Sequence, residues 1–160
     1  MTIELNMPAK FLFIMDPPDT LNLATETSLL LMQELINRGQ SVFWLQQEDL
    51  VLRQDRPTGL VSPVTGADPL QLDEPSWSDL DSFDAVLVRK DPPFDTQYLH
   101  LTLILDHLGP RVVQFNDVRA LRNFNEKMLP LRWADFAPPT LVSMDAGRLG
   151  QFARQHGIPP

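Results

Sequence analysis

Phe11-Leu-Phe-Ile-Met15 is an unbroken apolar run, preceded by Lys10 and stopped by Asp16-Pro17-Pro18. A strand that alternates polar and apolar residues leaves one face in water. A strand without alternation must be covered on both faces, as a central strand of a parallel sheet is. The prolines that follow lack the N–H a ladder requires, so the strand ends there. From residue 25 to 38 the apolar positions switch to helical spacing, with Leu29, Met32 and Ile36 in line and Leu31 and Leu35 beside them. Thr25 is placed to cap the start, Arg38 falls in the last turn and Gly39 stands where a left-handed cap is wanted. Ser41-Val-Phe-Trp-Leu45 is a second apolar run. Strand, helix and strand in this order predict a βαβ unit, with parallel pairing and a right-handed crossover.

Residues 46–82 change character, with Pro57, Pro63, Pro69 and Pro75 among them. Leu50–Leu52 and Gly59–Val61 are predicted to pair as a small hairpin around Asp55-Arg56-Pro57, and the remainder reads as irregular loop. Asp84-Ala-Val-Leu-Val88 is a third buried strand, and a helix follows over 96–108 with Tyr98, Leu101, Leu105 and Leu108 on one stripe. Arg111–Phe115 is a fourth strand, after which Asn116-Asp117 caps a helix running to about Arg122. Beyond Pro130 the signals weaken to an extended segment over 138–142 and a helix over 145–155. The pattern predicts an α/β protein: a Rossmann-like, open, mostly parallel sheet with helices on both faces and a small β-hairpin insertion. The expected domain limits are 1–124 for this unit and 125–160 for the start of a second.

Thirteen basic against 21 acidic residues give a net charge of −8. That charge disfavours a nucleic-acid backbone and an anionic membrane alike. No run approaches the ~20 apolar residues of a membrane helix, and the apolar stretch near the N-terminus is too short for a signal peptide. The expected location is the cytoplasm. With no cysteine in the chain, disulfides, thiolate metal sites and a cysteine nucleophile are excluded.

Ligands of doubly wound sheets bind outside the carboxyl ends of the strands, which selects Asp16-Pro17-Pro18, Arg89-Lys90-Asp91 and Asn116-Asp117. Adjacent cations at a strand end are costly to hold near a core unless they are paired or used. Two readings stand. The cations clamp a carboxylate or phosphoryl group, arginine being suited to two-point binding. Alternatively, Arg89 pairs internally with Asp91 or Asp16. Thr27 and Ser28, opening a helix, either hold an anion or merely cap. Neither G-x-G-x-x-G nor G-x-x-x-x-G-K-[ST] occurs. His100 and His107 are seven apart, the wrong spacing for a helical zinc pair, so no metal site is expected.

Phe13-Ile-Met-Asp-Pro17, Glu26-Thr27-Ser28, Val88-Arg-Lys-Asp-Pro-Pro-Phe-Asp95, Asn116 and Leu121-Arg-Asn-Phe-Asn-Glu-Lys127 together resemble the N-terminal half of the prokaryotic glutathione synthetases, from about residue 10 to 155. The resemblance implies a pre-ATP-grasp domain ahead of an ATP-grasp module that holds ATP and Mg2+. It implies ligation of γ-L-glutamyl-L-cysteine with glycine through an acyl phosphate. It places Asp16, Thr27, Ser28, Arg89, Lys90 and Asp91 on the dipeptide side of the cleft and Lys127 at nucleotide phosphate. The family continues into a strand with a Lys-Pro pair and a glycine-rich loop, where this chain stops at Gly157-Ile-Pro-Pro160. The expectation is therefore a chain truncated before the ATP-grasp core and inactive alone. The leucine-rich 96–108 helix leaves a subunit interface open, so a homo-oligomer is expected. The rival reading is a non-catalytic, small-anion-binding or oligomerisation module of flavodoxin-like fold.

Overall fold

The computed structural model of the protein describes residues 7–22, 25–125 and 127–158. The first apolar run is strand β1, Lys10–Met15, with Leu12 to Met15 all fully buried. It pairs parallel with β2, Ser41–Gln46, in a register running from Lys10 opposite Ser41 to Met15 opposite Gln46. Between them lies helix α1, Thr27–Asn37. Gly39, at φ +72°, closes α1 in the left-handed region, as its position predicted. The N-cap differs from expectation. Glu26, not Thr25, caps the helix, its carboxylate accepting from the Ser28 N–H at 2.8 Å.

The hairpin forms and then grows past its expected size. Strand β3, Leu50–Arg53, turns through Gln54 (φ +58°) into β4, Arg56–Ala67. β4 continues antiparallel along β2, with Phe43 opposite Pro63 and Trp44 opposite Ser62. It also pairs with the short strands β5, Leu70–Leu72, and β6, Ser76–Asp79. Most of the expected loop is thus strand, and the sheet is mixed rather than mostly parallel. The physical reason lies in β4, which buries Pro57, Gly59 and Val61 at alternate positions and seals the sheet beyond β2. Gly59 permits that closure: a Cβ there would sit 2.8 Å from a Leu45 methyl.

On the other side of β1 the expectation holds. β7, Ala85–Val88, is parallel to β1 (Ile14 opposite Val88), and β8, Val113–Phe115, is parallel to β7. The sheet order is β3-β4-β2-β1-β7-β8. Alternate residues of β1 enter two cores. Leu12 and Ile14 join Leu45, Val86, Leu101 and Leu105 beneath helix α2, Thr96–Leu105. Phe13 and Met15 join Leu29, Met32, Trp44 and Val64 beneath α1. Helices therefore cover both faces of an α/β sheet. α2 ends three residues earlier than expected, and its start is capped by Asp95 accepting from the Tyr98 N–H. Asp117, of the expected Asn116-Asp117 pair, accepts from the Ala120 N–H in α3, Val118–Asn123.

The chain divides into two compact units, residues 1–122 and 123–160. In the second, 3-10 turns over Leu129–Phe136 precede α4, Ala146–Gln155. Asp145 caps α4 by accepting from the Gly147 and Arg148 N–H groups. Residues 138–142 pair with no strand among the described residues. No described helix is long and apolar enough to cross a membrane.

Candidate functional site

β1 and β7 are neighbours running the same way, so the residues that follow each emerge at one rim of the sheet. The last ladder bond fixes this directly, with the Arg89 N–H donating to the Ile14 carbonyl at 2.8 Å. Asp16 and Arg89-Lys90-Asp91 thus meet although 73 or more positions separate them in the chain. Asp16 grips the β7 loop with both carboxylate oxygens. Oδ1 accepts from Lys90 Nζ at 2.5 Å and Oδ2 from the Asp91 N–H at 2.9 Å. The Lys90 and Asp16 side chains are 16% and 19% exposed. Pairing at that depth chiefly offsets desolvation; its visible effect is to pin the loop and cancel the Lys90 charge.

Arg89 is held differently. Its Nε donates to Ser28 Oγ at 2.9 Å and its Nη2 to Thr27 Oγ1 at 3.0 Å. Both acceptors are neutral, and Ser28, in the first turn of α1, is fully buried. Among the described residues no carboxylate lies within ion-pairing distance of Arg89. Of the two adjacent cations, then, one is cancelled and one is not. The internal pair of the alternative reading exists, but Lys90 makes it.

The uncancelled guanidinium lines a cavity of about 250 Å³ at this rim, together with Thr27, Lys90, Asp91, Tyr98 and Asn116. Glu26 also borders it, one carboxylate oxygen spent on the α1 cap. A roomier hollow of about 410 Å³, bordered by Leu29, Leu30, Pro69 and Leu70, carries no cation. Of these two cavities only the smaller is bordered by cations, Arg89 and Lys90, and it is bordered by the carboxylates of Glu26 and Asp91 as well. Burial first, and the Asp16 carboxylate second, raise the Tyr98 phenol above its ordinary pKa, so it keeps its proton.

Five of the six residues expected on the substrate side, Asp16, Thr27, Arg89, Lys90 and Asp91, border or brace this cavity, and Ser28 supports Arg89 from within α1. Lys127 lies in the second unit, where the Asn125 side chain accepts from its N–H. Tyr98, which the helical stripe marks as a core residue, also borders the cavity, and Asp95 caps its helix by accepting from the Tyr98 N–H. No group of three or more metal-ligating side chains occurs among the described residues, so they do not fit a magnesium site.

The structure is thus a mixed α/β domain that holds an uncompensated arginine in a polar cavity at the carboxyl rim of its parallel strands. The chain belongs to the prokaryotic glutathione synthetase N-terminal domain family, whose model matches residues 9–122. It is 34% identical over 157 residues to the glutathione synthetase of Nitrosomonas europaea, covering 92% of this chain and 48% of that protein. The glutathione synthetases of Ralstonia nicotianae (35% over 155 residues; 92% and 47%) and Vibrio cholerae (32% over 153 residues; 90% and 47%) match similarly. The chain spans about half the length of the curated relatives it matches.

Proposed function

We propose that this chain supplies the γ-L-glutamyl-L-cysteine side of a glutathione synthetase cleft, with Arg89 anchoring a carboxylate of the dipeptide. One observation carries the reading: Arg89 lies in a polar cavity with hydroxyl partners and no carboxylate within pairing distance among the described residues. Holding a partly buried charge without a counter-ion is unfavourable, and a bound carboxylate removes that penalty through two parallel hydrogen bonds. Asp16 and Lys90 keep the β7 loop in place, while Thr27 and Ser28 orient the guanidinium.

In the whole enzyme the reaction is an ATP-dependent ligation, in which ATP supplies the phosphoryl group that activates the cysteinyl carboxylate as an acyl phosphate and the glycine amine then displaces phosphate. Lys127 is assigned to nucleotide phosphate. Magnesium ligands are assigned to parts of the enzyme other than the described residues, and no step is derived through the metal. The chain by itself binds the dipeptide without turning it over. The compartment proposed is the cytoplasm, away from membranes and nucleic acid, which a net charge of −8 disfavours. Calorimetric titration with γ-glutamylcysteine tests the reading: the wild-type chain binds and Arg89→Met binds far more weakly. Equal binding by both would overturn it.

A further inference from the structure

Tyr98 stands apart within the cavity. The residue is 7% exposed, its ring centroid lies 4.9 Å from that of Phe94, and its backbone N–H is taken by Asp95. Its hydroxyl has no hydrogen-bond partner among the described residues. A phenol this deeply buried normally finds one. Nor is the oxygen sealed in, since the fully occluded side-chain atoms left without partners are Trp44 Nε1, Gln47 Oε1 and Gln114 Oε1. The oxygen therefore meets open space, and the open space that Tyr98 borders is the Arg89 cavity. Asp16, the carboxylate whose charge acts on the phenol, is already engaged by Lys90 and the Asp91 N–H.

The same cavity holds both signs of charge. Glu26 has one carboxylate oxygen left over from the α1 cap, and the Asp91 carboxylate makes no hydrogen bond to a described residue. A phosphate dianion would meet repulsion from these two groups. A zwitterion would find Arg89 for its carboxylate and Glu26 and Asp91 for its ammonium, a discrimination built partly from unfavourable contacts. We propose that Tyr98 is a specificity-determining residue: its phenol donates to the carboxylate that Arg89 pairs with, so that the cavity selects the free α-amino-acid head of the glutamyl end. This inference rests on the proposed function and names which end of the dipeptide the cavity reads.

Tyr98 is the chain's single tyrosine, so a ring-labelled [13Cζ]tyrosine sample gives one resonance from one site. The 160-residue chain is titrated with γ-glutamylcysteine, with its glutamyl α-carboxamide analogue and with its N-acetyl analogue, affinities being measured in parallel by calorimetry. The resonance is expected to shift along the γ-glutamylcysteine isotherm. Tyr98→Phe is expected to weaken γ-glutamylcysteine by about tenfold, the loss of one hydrogen bond to a charged acceptor. Its effect on the carboxamide analogue should be nil, and the N-acetyl analogue should bind more weakly to wild type than the dipeptide does. A resonance unmoved at saturation overturns the proposal even if Tyr98→Phe fails to fold. So does an equal Tyr98→Phe loss with the carboxamide, which would put the phenol elsewhere on the ligand. Arg89→Met separates the two readings. Full affinity in Arg89→Met, or no binding by wild type, sinks the site itself, whereas weakened Arg89→Met with unaltered Tyr98→Phe sinks the tyrosine alone.

Discussion

Replacing Arg89 with methionine preserves the aliphatic stem and removes the charge. Two hydrogen bonds are lost, to Ser28 Oγ and Thr27 Oγ1. Ser28 is fully buried, so its oxygen loses a donor, at a cost of about 1–3 kcal/mol. Against this, the folded chain no longer holds a guanidinium without a counter-ion, a burden that reaches several kcal/mol for a fully buried ion and less at this partly buried position. The two effects oppose each other, and the expected change in folding stability is within about 1 kcal/mol of zero. Ligand binding has no such compensation. Losing a two-point contact to a carboxylate costs about 2–4 kcal/mol, or roughly 30- to 1,000-fold in affinity. The assay pairs urea unfolding, followed by fluorescence of the three tryptophans, with calorimetric titration of γ-glutamylcysteine. Arg89→Lys, which keeps charge without the planar fork, should fall between. Destabilisation above about 3 kcal/mol with undiminished affinity would show that Arg89 is a strut of the fold and refute the reasoning.

Asp16→Asn leaves Lys90 without its counter-charge at a partly shielded position and should destabilise the first unit by about 1–3 kcal/mol, between the exposed and buried limits for ion pairs, as read from urea midpoints. Gly59→Ala forces a methyl to within 3 Å of Leu45 and should cost about 1–3 kcal/mol while γ-glutamylcysteine affinity stays unchanged, because the clash lies in the core away from the rim. The phenol of Tyr98, read by tyrosinate absorbance near 295 nm, should titrate above the ordinary value of about 10 in the folded chain. The sign follows: below that pH both states keep the proton and stability is indifferent, while above it the unfolded chain releases first. Stability therefore falls as pH rises until the folded phenol also ionises, and Tyr98→Phe should flatten that slope.

The parallel part of the fold was legible because β1, β2 and β7 are short apolar runs closed by polar or proline residues, too short for buried helices and rich in the β-branched and aromatic residues that strands favour. Of the antiparallel part only the β3–β4 hairpin was. Pro57 and Pro63 made the 56–67 segment read as broken, yet the alternation of Pro57, Gly59 and Val61 was present, and it outweighed the prolines once β2 and β6 offered partners. At the site, the residue types were visible but the pairing was not. Asp16 had two candidate cations one position apart, and only the geometry of the β7 exit decides that Lys90 reaches it while Arg89 turns to α1. Tyr98 was hidden for a different reason: an aromatic at helical spacing signals core, and it does pack there while also bordering the cavity.

Asp16 and Lys90 stand 74 positions apart in the chain, and α1, which lies between them in sequence, must pack on the sheet before Arg89 finds its hydroxyls. No partly assembled chain can possess the pocket, since each wall arrives on a different segment. If the dipeptide binds as proposed, ligand and native state are thermodynamically linked, and a saturating dipeptide is expected to raise the melting temperature in proportion to the logarithm of its concentration. On the proposed reading, ligand supply would govern how long the first unit survives proteolysis as well as how often its cleft is filled.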